Sequence, residues 1–368
     1  MPARACSAQS TMNPLRRRFL IAPLAFLASA ARSDVRYPDV QPGTTLTFPA
    51  DEGAHPEFRT EWWYVTGWLE DETAHALGFQ VTFFRSRPGV AEASESRFAP
   101  KQLLFAHAAL ADPSVSHLTV DQRAGREGFG LASATSGRTD VRIGDWSLVQ
   151  DDKRYAARIA ARDFTLDLVF AARAPILLQG DQGVSRKGPD PLDASFYYSR
   201  PQLQVEGSVE SGARTRRVTG SAWLDHEWSS RYLTRGAVGW DWIGVNLDDG
   251  GALMAFRIRD PRGETLWAGG THRDAHGVRR TFAPAEIAFL PQRRWRSPRT
   301  GIEYPVSFEV RAGEVSLLLE PLFPDQELDA RAGVGAVYWE GAVRATGPGG
   351  VAGRGYLELT GYAGALRI

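Results

Sequence analysis

The sequence predicts an all-β protein organised as two tandem antiparallel β-barrels. Three observations lead there: apolar residues alternate at period two along much of the chain, tryptophan is abundant, and a tryptophan-rich segment occurs twice. The chain has 368 residues, enough for two domains. Its 43% hydrophobic and 23% charged residues exclude a disordered or fibrous polypeptide. Aromatics reach 11%, with 11 Trp among them, which suits broad sheets and apolar pockets better than a helical protein.

Taken in order, the chain begins with an export address. Arg16-Arg17-Arg18 precedes Phe19-Leu20-Ile21 and an apolar run to Ala31 that ends on small residues, Ala28-Ser29-Ala30. This pattern predicts a signal peptide over residues 1–31, too short to persist as a membrane anchor. Arg-Arg-x-Phe-Leu fits the twin-arginine route, and three arginines before an apolar run also fit the general route. Met12 is an alternative start. The only cysteine, Cys6, lies inside this segment, so the mature chain is expected to hold no disulfide and no acylated thiol. Without residues 1–31 there are 39 basic and 43 acidic residues, a net charge of −4. A mildly acidic chain without basic clusters has no electrostatic footprint for nucleic acid. No second apolar span follows, so a soluble periplasmic or secreted protein is expected, with no membrane span after processing.

Strand signals dominate the remainder. Glu61–Leu69, Gly78–Phe84 and Phe164–Phe170 alternate large apolar residues with other types, and Asp112-Pro113-Ser114, Gly180-Asp181 and Asp248-Asp249-Gly250-Gly251 read as turns. The best short helix candidate lies within Arg279–Leu290 and amounts to one or two turns. The repeat pairs Trp62-Trp63-Tyr64-Val65-Thr66-Gly67-Trp68-Leu69 with Trp240-Asp241-Trp242-Ile243-Gly244-Val245-Asn246-Leu247, 178 residues apart. Second strands follow at Phe79/Val81/Phe83 and Met254/Phe256/Ile258, now 175 residues apart, which implies a hairpin loop three residues shorter. Phe105-Ala106-His107 pairs with Trp267-Ala268-Gly269, and Gly220–Glu227 with Gly355–Tyr362. Two barrels that each close their own sheet leave no long exposed edge. The expected domains are 32–232 and 233–368, with the boundary near Arg231–Gly236.

These blocks also carry a family resemblance. HPEFRTEWWYVTGWL (His55–Leu69), GFQVTFFR (Gly78–Arg85), FAHAALAD (Phe105–Asp112), GSAWLDHEWSS (Gly220–Ser230), GWDWIGVNLDDG (Gly239–Gly250), YWEGAV (Tyr338–Val343) and GYLELTGY (Gly355–Tyr362) resemble the blocks of the CrtC/AttH family. The resemblance runs from about Tyr37 to Tyr362. It implies a pair of lipocalin-like, calycin-type barrels. Among relatives it also implies carotenoid 1,2-hydratases, which add water across a terminal isoprenoid double bond, and members that sit beside transporter components. A fold does not fix a reaction. The hydratases carry a block like Asp225-His226-x-Trp228 and a downstream Tyr-x-Asp, whereas this chain has Leu253-Met254-Ala255-Phe256-Arg257 there.

Candidate site residues follow from chemistry and alternation. On a strand, His226 and Trp228 share a face with Leu224, and Asp225 and Glu227 share the other with Trp223. A histidine beside carboxylates can move protons near neutral pH, and it can equally serve as a hydrogen-bonded corner between barrels. The strand's counterpart, Leu359-Thr360-Gly361-Tyr362, reads as mostly neutral. Asp241 alternates with Ile243, Val245 and Leu247, and Glu61 with Trp63, Val65 and Leu69. Pointing into a barrel, either acid could hold a proton for donation; the opposite face assignment puts the acids at the surface and the tryptophans inside. Trp62, Trp63, Tyr64, Trp228, Trp240 and Trp242 are core packing or the wall of an apolar pocket whose ring faces stabilise a carbocation. Seven scattered His residues show no zincin motif, His272 and His276 sit in a turn-rich stretch, His107 reads as a satisfied strand histidine, and no Gly-x-Ser-x-Gly elbow occurs. Neither a metal nor another cofactor is therefore expected, and serine or metal hydrolysis has no visible basis. The sequence points to an exported protein that binds a lipophilic, isoprenoid-like molecule. Its chemistry, as a hydro-lyase, would be addition of water to a double bond with His226, Asp225 and Asp241 handling protons. The alternative is a carrier without turnover, or an accessory protein of an ABC-type export system.

Overall fold

The computed structural model describes residues 35–331, 335–350 and 352–366. The expected signal peptide and Cys6 lie outside the described residues. The described chain is almost entirely β, in two antiparallel sheets. The first contains β1 (Thr60–Asp71), β2 (Ala76–Ser86), β3 (Leu103–Ala111), β4 (Leu118–Arg126), β5 (Ala132–Ala134), β6 (Asp140–Ile143) and β7 (Trp146–Asp151). It continues with β8 (Arg154–Ala160), β9 (Phe164–Ala172), β10 (Leu177–Leu178), β11 (Val184–Arg186), β12 (Ala194–Ser211) and β13 (Arg214–Arg231). The second contains β14 (Gly239–Leu247), β15 (Ala252–Arg259), β16 (Thr265–Arg273), β17 (Arg279–Phe282) and β18 (Ile287–Arg296). β19 (Glu303–Ala312), β20 (Val315–Pro321), β21 (Glu327–Ala330), β22 (Ala336–Thr346) and β23 (Ala352–Leu359) complete it.

The first sheet runs β4-β3-β2-β1-β13-β12-β9-β8-β7-β6-β5, and a bridge between Gly128 and Ala132 nearly closes it into a barrel. The second runs β17-β16-β15-β14-β23-β22-β20-β19-β18. Its end strand β18 lies over β15 and β16. The helix expected within Arg279–Leu290 is a single 3-10 turn, Pro284–Glu286, where the Glu286 carboxylate accepts the Ala283 N–H at 2.8 Å. Its apolar residues serve the flanking strands, with Phe282, Ile287 and Phe289 in the second core.

The sequence repeat is a structural one. β1 pairs with β2 and β13, and β14 pairs with β15 and β23, so each repeat is a hairpin whose first strand is closed by the last strand of its own sheet. Alternation along β1 sends Trp63, Val65 and Leu69 into the first core. Tyr64 and Trp68 go instead to a separate apolar layer with Tyr197, Trp223, Trp242, Phe256 and Tyr356. That layer lies between the sheets, which explains why both faces of β1 are buried although an exposed barrel wall would show one polar face. Burying each large side chain there contributes roughly 1.5–3 kcal/mol, enough to hold the two sheets as one body. Gly244 makes the contact possible: a Cβ there would meet the Trp242 ring at 2.6 Å and the Trp223 ring at 3.1 Å. Gln202, at φ +58 in a bulge of β12, donates its amide N–H groups to Leu247 and Gly251 carbonyls and ties the first sheet to the second.

Candidate functional site

The site forms where the two tryptophan-rich repeats face each other. On β13, Trp223, Asp225 and Glu227 point to the second sheet, while Leu224, His226 and Trp228 point into the first barrel. Register sets Tyr64 opposite Asp225 and Trp62 opposite Glu227. In the second sheet Trp242 stands opposite Glu358, and Glu358 opposite Glu340. These faces line a half-open cavity of about 280 Å³. Trp62, Tyr64, Tyr232, Trp240 and Trp242 give it apolar walls, and Asp225, Glu227, Glu340 and Glu358 give it four carboxyls. A polar cleft along the connection between the sheets shares Thr60, Tyr232 and Leu366 with the cavity.

Asp225, Glu227 and Glu340 are buried away from bulk water and Glu358 is half-buried, and their partners differ. Asp225 accepts hydrogen bonds from Ser199 Oγ (2.5 Å), Trp223 Nε1 (2.6 Å) and Tyr197 Oη (2.7 Å). Burial pushes Asp225 up to about 7 against those three bonds. Glu227 contacts Lys187 Nζ at 2.8 Å and accepts a bond from Ser195. Burial raises Glu227 and lowers Lys187. Glu358 accepts from Trp240 Nε1 at 2.9 Å, and burial pushes it up to about 7. Glu340 makes no well-formed hydrogen bond on either oxygen, and the Tyr64 hydroxyl beside it makes none either, although its proximity favours the charged carboxyl. Burial, then the charge of Glu358, drives Glu340 well above the usual carboxylate range. His107 completes this end, with Nε2 2.9 Å from Tyr338 Oη and 4.0 Å from Glu340. Burial pushes His107 down to about 3, so its ring is neutral.

A contrasting cluster lies behind β13, inside the first barrel. Glu61 Oε1 is 2.8 Å from His55 Nδ1 and 2.9 Å from His226 Nε2, while Oε2 accepts from Arg85 Nε at 2.7 Å. His226 stacks on Trp63 and places Nδ1 3.2 Å from Tyr198 Oη; His55 stacks on Trp228 at 3.7 Å. Burial opposes the charge on Glu61, but bonds from His226 and His55 and the Arg85 guanidinium hold it well below the usual range. Burial also works against His55, yet Asp51 and Glu61 hold it up at about 9.

The AttH-like family model matches residues 39–362, nearly all of the described chain. The structure of a candidate AttH from Nitrosomonas europaea is 53% identical, over 88% of this chain and 99% of that one, with a TM-score of 0.83. This chain belongs to the AttH-like family. No curated protein matches it significantly. Kievitone hydratase from Nectria haematococca shares the fold at 14% identity, over 89% of this chain and 96% of that one, with a TM-score of 0.67. CghA with Sch210972 is 14% identical over 83% of this chain and 89% of that one, with a TM-score of 0.50.

Within this AttH-like fold the residues selected from sequence separate into three places. Asp225, Trp62, Tyr64, Trp240 and Trp242 line the cavity, as does Glu61 at its edge. His226, Trp63 and Trp228 belong to the first barrel's interior, on the far side of β13 from Asp225. Asp241 is fully buried inside the second barrel, held by Arg257 Nε (2.7 Å), Arg259 Nε (3.0 Å) and Tyr362 Oη (3.0 Å). Its apolar neighbours come with two guanidinium groups, so it has the partners of a structural carboxylate. Among the described residues His55, Glu61 and His226 are the one group of metal-ligand type, with donor atoms within 4.8 Å of one another. Both rings address the same carboxylate oxygen and Arg85 takes the other, so hydrogen bonds already satisfy these groups.

Glu340 and Glu358 escape the sequence reading. Register aligns Asp225 opposite Tyr64 with Glu358 opposite Trp242, so the second repeat keeps an acid where Thr360 suggests a neutral residue. The signal was present as alternation: Tyr338 shares a face with Glu340, and Tyr356 with Glu358 and Thr360.

Proposed function

We propose that this AttH-like protein binds an apolar, alkene-bearing molecule between its two sheets and adds water across the double bond. The observation that carries the reading is the group of protonatable acids beside tryptophan and tyrosine rings in one half-open cavity. Glu340, whose burial keeps it protonated, donates its proton to one alkene carbon, and the neighbouring carbon becomes cationic. The faces of Trp62, Trp240 and Trp242 stabilise that charge. A water held by the unpartnered oxygens of Tyr64 and Glu340 attacks the cation, and Glu358 takes the released proton. Proton return from Glu358 to Glu340, which stand opposite each other on neighbouring strands, resets the pair. Asp225 fixes Tyr197 and, through it, Trp242.

The cavity volume selects a short isoprenoid or the end of a longer one. About 280 Å³ falls just below the usual range for small-molecule sites, so a whole carotenoid chain does not fit. The reading includes export to the periplasm or beyond by the segment at residues 1–31. Cell fractionation of the full chain tests this: an unprocessed cytoplasmic protein contradicts it.

The chemistry is tested by incubating the protein with short isoprenoid alkenes in heavy-oxygen water and following label by mass spectrometry. Incorporation is expected, with loss of at least about 100-fold in Glu340→Gln and Glu358→Gln. Equal incorporation by wild type and both variants rejects the mechanism. Tight alkene binding with no incorporation favours carriage without turnover, including service to an export complex.

A further inference from the structure

One end of the first barrel carries an aromatic and basic knob that none of this chemistry uses. It combines the loop leaving β2, residues 87–102, with the tight turn between β4 and β5. Phe98 is 70% exposed, Leu131 54% and Phe129 48%. The Phe98 and Phe129 rings stack with centroids 4.9 Å apart, so two separate loops have been brought together to display them. The Arg126 guanidinium lies 5.3 Å from the Phe98 ring and 5.1 Å from the Phe129 ring, and Arg97 lies 5.3 Å from Phe129. Arg126 also donates to the Phe98 carbonyl at 2.6 Å, which braces the loop. Phe129 sits at φ +57 between Gly128 at +101 and Gly130 at +71. A bulky residue in that region is uncommon, and here the strained turn holds an apolar ring in solvent, packed only on the other members of the knob.

Charge makes the patch one-sided. Neither Arg97 nor Arg126 has a carboxylate partner among the described residues. Glu92 is engaged by Arg87 at 2.9 Å, and Glu127 is partly buried. Exposed Lys101 adds to the cations, and exposed Glu95 is the acid that opposes them. The knob is also anchored at the rim of the cavity. Arg87 N donates to Arg59 O at 2.8 Å, Gln102 accepts from Arg85 Nη1 at 2.9 Å, and Arg85 and Ser86 line the cavity itself.

We propose that Phe98, Phe129 and Leu131, with Arg97 and Arg126, dock this protein on a bilayer that carries anionic headgroups. Exposed aromatics at an interface supply apolar insertion, and arginines beside them supply attraction to lipid phosphate, a combination that gives reversible surface binding. The docking does not depend on what the cavity does, although it would set the cavity rim near a source of apolar molecules.

Flotation of the full chain with phosphatidylcholine vesicles, alone or mixed with phosphatidylglycerol, tests the proposal. Binding to the mixed vesicles is expected, weaker at high salt, and at least about tenfold weaker in F98S/F129S. Arg97→Gln, an exposed change that leaves the fold alone, is expected to weaken binding to mixed vesicles and leave binding to neutral vesicles unchanged. The N-terminal apolar segment is the same in every variant, so differences between variants isolate the knob. Equal flotation of wild type, F98S/F129S and Arg97→Gln would overturn the proposal. So would a self-associated form that F98S/F129S converts to monomer, because the patch would then join two copies of this chain.

Discussion

Glu61 and Glu340 are both buried carboxyls, one turned into the first barrel and the other toward the cavity between the sheets, and their environments drive them in opposite directions. Glu61 is surrounded by donors: two imidazoles, a guanidinium and a backbone N–H. Its charge is what the first barrel's interior is built around. Glu340 makes no well-formed hydrogen bond and faces a second carboxyl, so its neutral form is the stable one. Burial alone therefore does not decide the state of an acid. The count and charge of its partners does. The first barrel uses a carboxylate as a structural anchor, and the space between the barrels keeps carboxylic acids in reserve.

Substitution should expose this difference most strongly as stability. Glu61→Gln removes the anion from Arg85 and His55 and is expected to cost about 3–5 kcal/mol, measured by urea unfolding. Glu340→Gln replaces one neutral group by another and is expected to change stability by less than about 1 kcal/mol. Similar costs for the two would erase the distinction.

A smaller effect is expected in the pH dependence of stability. Unfolded Asp225 and Glu358 ionise near pH 4, about the value for free carboxyls. Folded, both keep their protons up to about 7. The folded state binds more protons across that window, so stability falls as pH rises through it. Glu358→Gln should flatten part of this decline. Glu61 works in the reverse sense: its contribution is present at neutral pH and fades only in strong acid, below the ordinary carboxylate range. An unchanged slope in Glu358→Gln would show that Glu358 is not protonated in the folded protein. The smallest effect is expected for Trp240→Phe, which removes the one hydrogen bond to Glu358. Its midpoint should rise by a fraction of a unit, visible in carboxyl infrared absorption, and a fall would contradict the assigned partner.

Alternation made much of this legible in advance. Period two correctly split Trp223, Asp225 and Glu227 from Leu224, His226 and Trp228, and the repeat correctly paired β1 with β14. The same rule separates His226 from Asp225, since neighbours on a strand cannot address one space. Asp241 was readable as an inward acid, but its guanidinium partners, Arg257 and Arg259, stand on the adjoining strand β15. Arg257 was in view in the sequence without a register to place it. Glu340 and Glu358 were hidden for a related reason. Aligning the closing strands on glycines puts Thr360 where register puts Glu358, and nothing local says that these faces meet the first sheet. Which two walls line a cavity is a non-local fact, set by the packing of Tyr64, Trp242 and their neighbours.

Carbon-detected NMR of glutamate side-chain carboxyls, followed from about pH 3 to about pH 9, reads these states directly. Glu358 should titrate near 7 with Glu340 still protonated there, while Glu61 stays ionised throughout. Glu340 and Glu358 both ionising near pH 4, as free carboxyls do, would mean that the cavity holds no proton to give.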